Sequence, residues 1–81
     1  MFAKIRDLIE AQKLVTVLAD RIENEADLYE LGMSSFGSVQ LMLALEDHFD
    51  IEFPERMLNR KTFATIAAID RSLTELIAAR G

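Results

Sequence analysis

Apolar residues recur along this chain at three- and four-residue steps, the spacing that gathers side chains on one face of an α-helix. No segment alternates apolar and polar residues over the length of a strand, and Gly and Pro number only three and one. A first helix is expected over 2–18. There Ile5, Leu8, Ile9, Val15 and Leu18 form a gapped apolar stripe opposite Lys4, Arg6, Asp7, Glu10 and Lys13. Residues 19–34 read as a long, mostly polar loop pinned by Leu28 and Leu31, with Gly32 suited to a turn or a positive φ. So long a connection in so short a chain points to function.

The strongest helical pattern covers 35–49. Val39, Met42, Leu43 and Phe49 make one stripe, Leu41 and Leu45 widen it, and Ser34 or Ser35 supplies a capping hydroxyl. A helix apolar around so much of its girth is expected at the centre of the fold. Asp50 breaks the pattern, and Pro54 opens a short helix over 54–59. Thr62 or Thr65 caps a last helix carrying Ile66, Ile69, Leu73 and Leu76 or Ile77 on one face, with Gly81 ending the chain. The expected architecture is all-α: three main antiparallel helices plus one short one in a small up-and-down four-helix bundle, with residues 1–81 as a single domain.

Composition narrows the function by exclusion. With 51% hydrophobic and 28% charged residues, the chain's 81 positions are neither disordered nor fibrous. No apolar run approaches the roughly 20 residues of a transmembrane helix, and the N-terminus carries no signal-peptide apolar block, so no membrane role is expected. The absence of cysteine removes disulfides, thiolate nucleophiles and sulfur-based zinc sites, which suits a reducing cytoplasm. Residues 20–55 hold ten acids against Arg21 alone, a local net of −9. That field repels phosphate backbones and argues against nucleic-acid binding, and it would steer a basic protein surface inward.

Catalysis finds no constellation. His48 is the only histidine and reads as a helix-surface residue, and no Ser-His-Asp or Cys-His arrangement can be assembled. Asp47, Asp50, Glu52 and Glu55 loosely resemble a calcium loop but lack its central Gly and ligand spacing, so no metal site is expected. Phe49, Phe53 and Phe63 read as core. What stands out is Leu31-Gly32-Met33-Ser34-Ser35-Phe36. A serine after a Gly-containing turn, in the first turn of a strong helix, presents its hydroxyl where free N–H groups and the helix dipole favour an anion. Capping alone would also explain a serine there.

That motif, followed by Val39-Gln40-Leu41-Met42-Leu43-Ala44-Leu45-Glu46-Asp47-His48-Phe49 and then Asp50-Ile51-Glu52-Phe53-Pro54, resembles the acyl carrier protein family over essentially the whole chain. The resemblance implies that Ser35 receives 4′-phosphopantetheine from coenzyme A through a phosphopantetheinyl transferase, making a phosphoprotein whose arm ends in a thiol. That thiol holds a cargo as a thioester, so the chain is a carrier and no enzyme. A thiol supplied by the arm accounts for the missing cysteine.

The chain departs from the common family pattern at the serine. Ser34 stands for the usual Asp, Phe36 for Leu, Gly37 for a frequent acid and Gln40 for a common Glu, which argues against ordinary fatty-acid synthesis. With Leu58-Asn59-Arg60-Lys61-Thr62-Phe63-Ala64, the string is similar to small bacterial carriers charged by stand-alone homologues of class II seryl-tRNA synthetase. Those ligases load an activated amino acid, typically glycine or alanine, which a downstream acceptor enzyme then takes. Partner recognition is expected from Ser34, Phe36, Gly37 and Gln40 and from Arg56, Leu58 and Arg60, on a monomer. Two alternatives are a specialised acyl carrier of lipid, polyketide or peptide biosynthesis and a non-catalytic helical interaction module that docks through its acidic face.

Overall fold

The computed structural model describes residues 1–80; Gly81, the last residue of the sequence, lies outside the described residues. Three α-helices form the frame: α1 Phe2–Ala11, α2 Ser35–Phe49 and α3 Ile66–Ala79. Ile5 and Ile9 of α1, Leu41 and Leu45 of α2, and Ile66, Ile69 and Leu73 of α3 are fully buried. Each such side chain stabilises the fold by about 1.5–3 kcal/mol relative to exposure. α1 lies against both other helices.

α1 ends seven residues before the sequence pattern suggests. Gln12 caps it, Lys13 takes a positive φ of 52°, and the Leu14 N–H turns back to the Ile9 carbonyl at 3.3 Å. The apolar stripe is already interrupted by Gln12 and Lys13. Beyond it Val15, Thr16 and Val17 form a β-branched run that loses rotamer freedom in a helix. Leu14 is buried by that turn, which an extended helix would not achieve.

The connection from 12 to 34 contains the 3-10 turn Ala19–Arg21 and is fastened at both ends. Arg6 donates to the Ile22 carbonyl at 2.7 Å and to Asn24 Oδ1 at 2.6 Å, while Glu10 Oε2 accepts from the Ala19 N–H at 3.1 Å. Leu28 N–H donates to the Ala64 carbonyl at 2.7 Å, and Ala67 N–H to the Asn24 carbonyl at 2.9 Å. Polar backbone near the core is thereby paired. Leu28 is fully buried as expected, whereas Leu31 is only partly so.

Among the described residues the short fourth helix is absent, and the bundle has three α-helices. Over 54–59 the chain forms the 3-10 turn Glu55–Met57, and a second 3-10 turn, Arg60–Phe63, follows. Six residues are too few to repay helix nucleation, and Asn59 is extended at φ −145°. Its side chain accepts from Thr62 N–H at 3.0 Å and starts the second turn. Of the two threonines considered as caps for α3, Thr65 serves, accepting from Ala68 N–H at 2.9 Å. Phe53 and Phe63 are buried and meet edge to face at 5.2 Å.

The C-terminal end of α2 is built by a left-handed residue and a distant base. Asp50 adopts φ 54°, and Arg80 donates to the Phe49 carbonyl at 2.8 Å and to the Asp50 carbonyl. A guanidinium there satisfies free helix carbonyls and complements the negative end of the dipole. Glu46 Oε2 accepts from Phe53 N–H at 2.9 Å, so one of the acids of α2 secures the following loop.

Candidate functional site

Ser34 and Ser35 divide their tasks by one residue of helix geometry. Ser34 is extended at φ −84°, ψ 168° and caps α2, its Oγ accepting from Gly37 N–H at 2.9 Å. Ser35 is the first residue inside the helix and is exposed. Among the described residues its hydroxyl makes no hydrogen bond, although its carbonyl accepts from Ser38 Oγ at 2.7 Å. With capping assigned to Ser34, the Ser35 hydroxyl has no part in holding the helix start.

The approach to this serine is held by close packing. Gly32 takes φ 114°, a conformation that side chains oppose. A Cβ there would sit 3.3 Å from Thr16 Cγ2, and both Thr16 N–H and Thr16 Oγ1 donate to the Leu31 carbonyl at 3.1 Å. Met33 is buried beneath the turn. At Gly37 a Cβ would come within 3.3 Å of Leu14 Cδ2, Met33 Cγ and Ser34 Oγ. Gly37 therefore lets the first turn of α2 settle on the core and offers no surface of its own.

Beside Ser35 lies an open groove of about 460 Å³. Ser35, Ser38, Val39 and Met42 line it from α2, Leu58 and Asn59 from the link between the two 3-10 turns, Arg60 and Phe63 from the second turn, and Tyr29 from the long loop. Arg60 places its guanidinium carbon 3.8 Å from the centre of the Tyr29 ring, a cation–π contact. Arg56, by contrast, is outside the groove lining and pairs with Glu75 of α3 at 2.5 Å.

The outer face of α2 is apolar. Its buried line is Gly37, Leu41 and Leu45, four residues apart, which corrects the expected core stripe: Val39 and Leu43 point to solvent. Phe36 is 72% exposed and, with Val39 and Leu43, continues along that face, while Leu58 is half exposed across the groove. A helix apolar on several faces can offer only one to the core, and the remainder forms a patch of the kind that meets partners. Of the residues expected to recognise partners, Ser35's groove brings in Leu58 and Arg60; Phe36 stands on the adjoining face, Gln40 is half-buried, and Arg56 lies apart. Sequence reasoning missed Tyr29, Asn59 and the outward role of Val39 and Leu43. The surplus of apolar positions on α2 was the signal for the last two.

Among the described residues there is no cluster of His, Asp and Glu able to hold a metal, and no helix is long and apolar enough to cross a membrane. The site is a serine at a helix start, its hydroxyl unbonded among the described residues, beside an open groove. Residues 3–69 match the family described as phosphopantetheine attachment site, and the chain belongs to that family. It is accordingly a carrier and not an enzyme, and its prosthetic group is 4′-phosphopantetheine.

Relatives narrow the comparison. An aminoacyl carrier protein of Agrobacterium fabrum is 53% identical over 70 residues, covering 86% of this chain and 84% of the relative. A D-alanyl carrier protein of Bacillus licheniformis is 34% identical over 73 residues, covering 80% and 94%. In three dimensions the chain matches one in the crystal structure of an engineered Bradyrhizobium japonicum glycine:[carrier protein] ligase complexed with carrier protein from Agrobacterium tumefaciens and ATP. The TM-score is 0.88 at 48% identity, covering 93% of this chain and 97% of that one.

Proposed function

We propose that this protein carries an activated amino acid, glycine in the first instance, on a phosphopantetheine arm attached to Ser35. The observation that carries the proposal is the exposed Ser35 hydroxyl, relieved of capping by Ser34 and opening onto the groove. The residues fit the group: an unbonded hydroxyl at the surface accepts a bulky phosphodiester without disturbing the core. When attached, the arm supplies the thiol on which the cargo travels as a thioester.

The chain's own residues do the rest of the work by position. Ser34 holds the helix start, Gly32 and Gly37 permit the tight approach beneath it, and the Phe36, Val39, Leu43 and Leu58 surface is offered to partner enzymes. Those partners are a phosphopantetheinyl transferase, an amino acid:carrier-protein ligase and a downstream acceptor, all in the cytoplasm where coenzyme A and ATP are available. The names of the Agrobacterium and Bacillus relatives and the ligase complex support an amino-acid cargo over a fatty acyl one.

Coexpression with a phosphopantetheinyl transferase should add the mass of one phosphopantetheine, and Ser35→Ala should add none. Incubation of the modified protein with a glycine:carrier-protein ligase, glycine and ATP should then add one glycyl group. A mass gain that survives Ser35→Ala would refute the attachment site. A chain that resists every transferase tried yet binds the ligase would restore the reading as an interaction module.

A further inference from the structure

We propose that Arg60 is the resident counter-ion of the phosphodiester on Ser35, and that Tyr29 holds its guanidinium in place for that purpose. The inference rests on the assignment of the arm to Ser35 and extends it to a residue at the other wall of the groove. Three observations converge. Ser35 and Arg60 line the same groove, on elements distant in sequence. Arg60 is the only charged residue in that lining, although the chain as a whole carries fourteen acids against nine bases. Finally, among the described residues Arg60 forms no ion pair and donates no hydrogen bond, whereas Arg56 of the preceding turn is paired with Glu75.

An arginine placed over an aromatic face keeps all five N–H donors in the plane of the guanidinium. The Tyr29 contact at 3.8 Å thus orients the fork without consuming its donors. Phosphodiester oxygens are well matched to such a fork, which can engage two of them together. The other lining residues suit the arm beyond its phosphate. Val39, Met42, Leu58 and Phe63 offer apolar walls to its methyl groups, and Asn59 offers an amide to its amides. Asn59 is only partly available, since its Oδ1 already accepts from Thr62 and its Nδ2 donates to the Arg56 carbonyl at 3.1 Å. The phosphate contact is therefore the specific one, and it falls to Arg60.

The test uses unmodified and phosphopantetheinylated forms of the wild type, Arg60→Gln, Arg60→Lys, Tyr29→Leu and, as a charge control one residue away, Lys61→Gln. Intact mass first establishes complete modification in every variant. The readouts are the phosphorus-31 chemical shift of the phosphodiester and the change in melting temperature on modification, each at low and high salt. In the wild type the arm should raise the melting temperature by about 3 °C at low salt, in line with an exposed charge pair in a domain of this size. Arg60→Gln should abolish that rise and move the phosphorus resonance towards its value in the unfolded protein. Tyr29→Leu should reduce both effects, Arg60→Lys should keep only part of them, Lys61→Gln should leave them unchanged, and about 1 M salt should suppress them in the wild type. Identical phosphorus shifts and melting increments in wild type and Arg60→Gln, with modification complete, would overturn the role of Arg60 while leaving Ser35 as the attachment point. Equal losses in Lys61→Gln would show a general field effect and overturn it as well. A failure of modification in the wild type would instead remove the assignment of Ser35 itself.

Discussion

Ser34 and Ser35 differ by one position and by everything that follows from it. The capping residue must be extended with its oxygen turned towards the N–H two or three residues on, and Ser34 meets that condition at 2.9 Å from Gly37 N. The next residue is already helical, and its side chain is directed away. Ser34→Ala should therefore destabilise the fold by about 1 kcal/mol, read as a drop of roughly 4–8 °C in thermal melting. Ser34→Asp should restore or exceed wild-type stability, because a carboxylate caps as well and also faces the positive end of the helix. If charging by the ligase falls with Ser34→Asp while stability rises, the side chain is read by the partner as well as by the helix.

At the level of elements, α2 serves the core with one line and the surroundings with another. Leu41 and Leu45 are fully buried, while Leu43 is 55% exposed. Leu41→Ala removes packing that nothing nearby can replace and should cost about 2–5 kcal/mol. Leu43→Ala should change stability by about 0.5 kcal/mol or less. Urea denaturation of the two variants would separate them. Ligase kinetics should show the opposite order, with a raised KM for Leu43→Ala, if the outer face docks partners. A stability loss of equal size in both would mean that the outer line belongs to the fold.

The whole molecule has little stability to spare: about 4–12 kcal/mol for a chain of this length. Its groove is open, so a cargo gains from it only by removing apolar surface from water. Each buried methylene contributes about 0.8 kcal/mol, whereas a glycyl ammonium would lose hydration on burial. Loading with glycine should consequently leave the melting temperature of the modified protein within about 1 °C. An octanoyl cargo should also give only a weak response if the protein is an amino-acid carrier. A large stabilisation by octanoyl, with turnover by fatty-acid synthase enzymes, would place it in the acyl branch.

Local physics made part of this legible in one dimension. The bounds of α2 at Ser35–Phe49 and the break at Asp50 appear as expected, and the cap of α3 falls on Thr65, one of the two threonines considered, because caps and left-handed turns are decided by neighbours along the chain. The serine motif was readable for the same reason. The end of α1 was less so: a helix over 2–18 keeps plausible periodicity, and only the burial of Leu14 beneath the start of α2 shows what the turn at Lys13 accomplishes. The segment 54–59, expected as a fourth helix, gives only the 3-10 turn Glu55–Met57, because it is too short to repay helix nucleation and Asn59 is extended. Above all, the sequence showed α2 as apolar on several faces, and the stripe expected in the core, Val39, Met42, Leu43 and Phe49, is not the line the core took, which is Gly37, Leu41 and Leu45. That choice depends on α1, and it left Phe36, Val39 and Leu43 outside. The meeting of Arg60 with Ser35 and Tyr29 around one groove is likewise a product of tertiary packing, since no local interaction relates Arg60 to residues so much earlier in the chain.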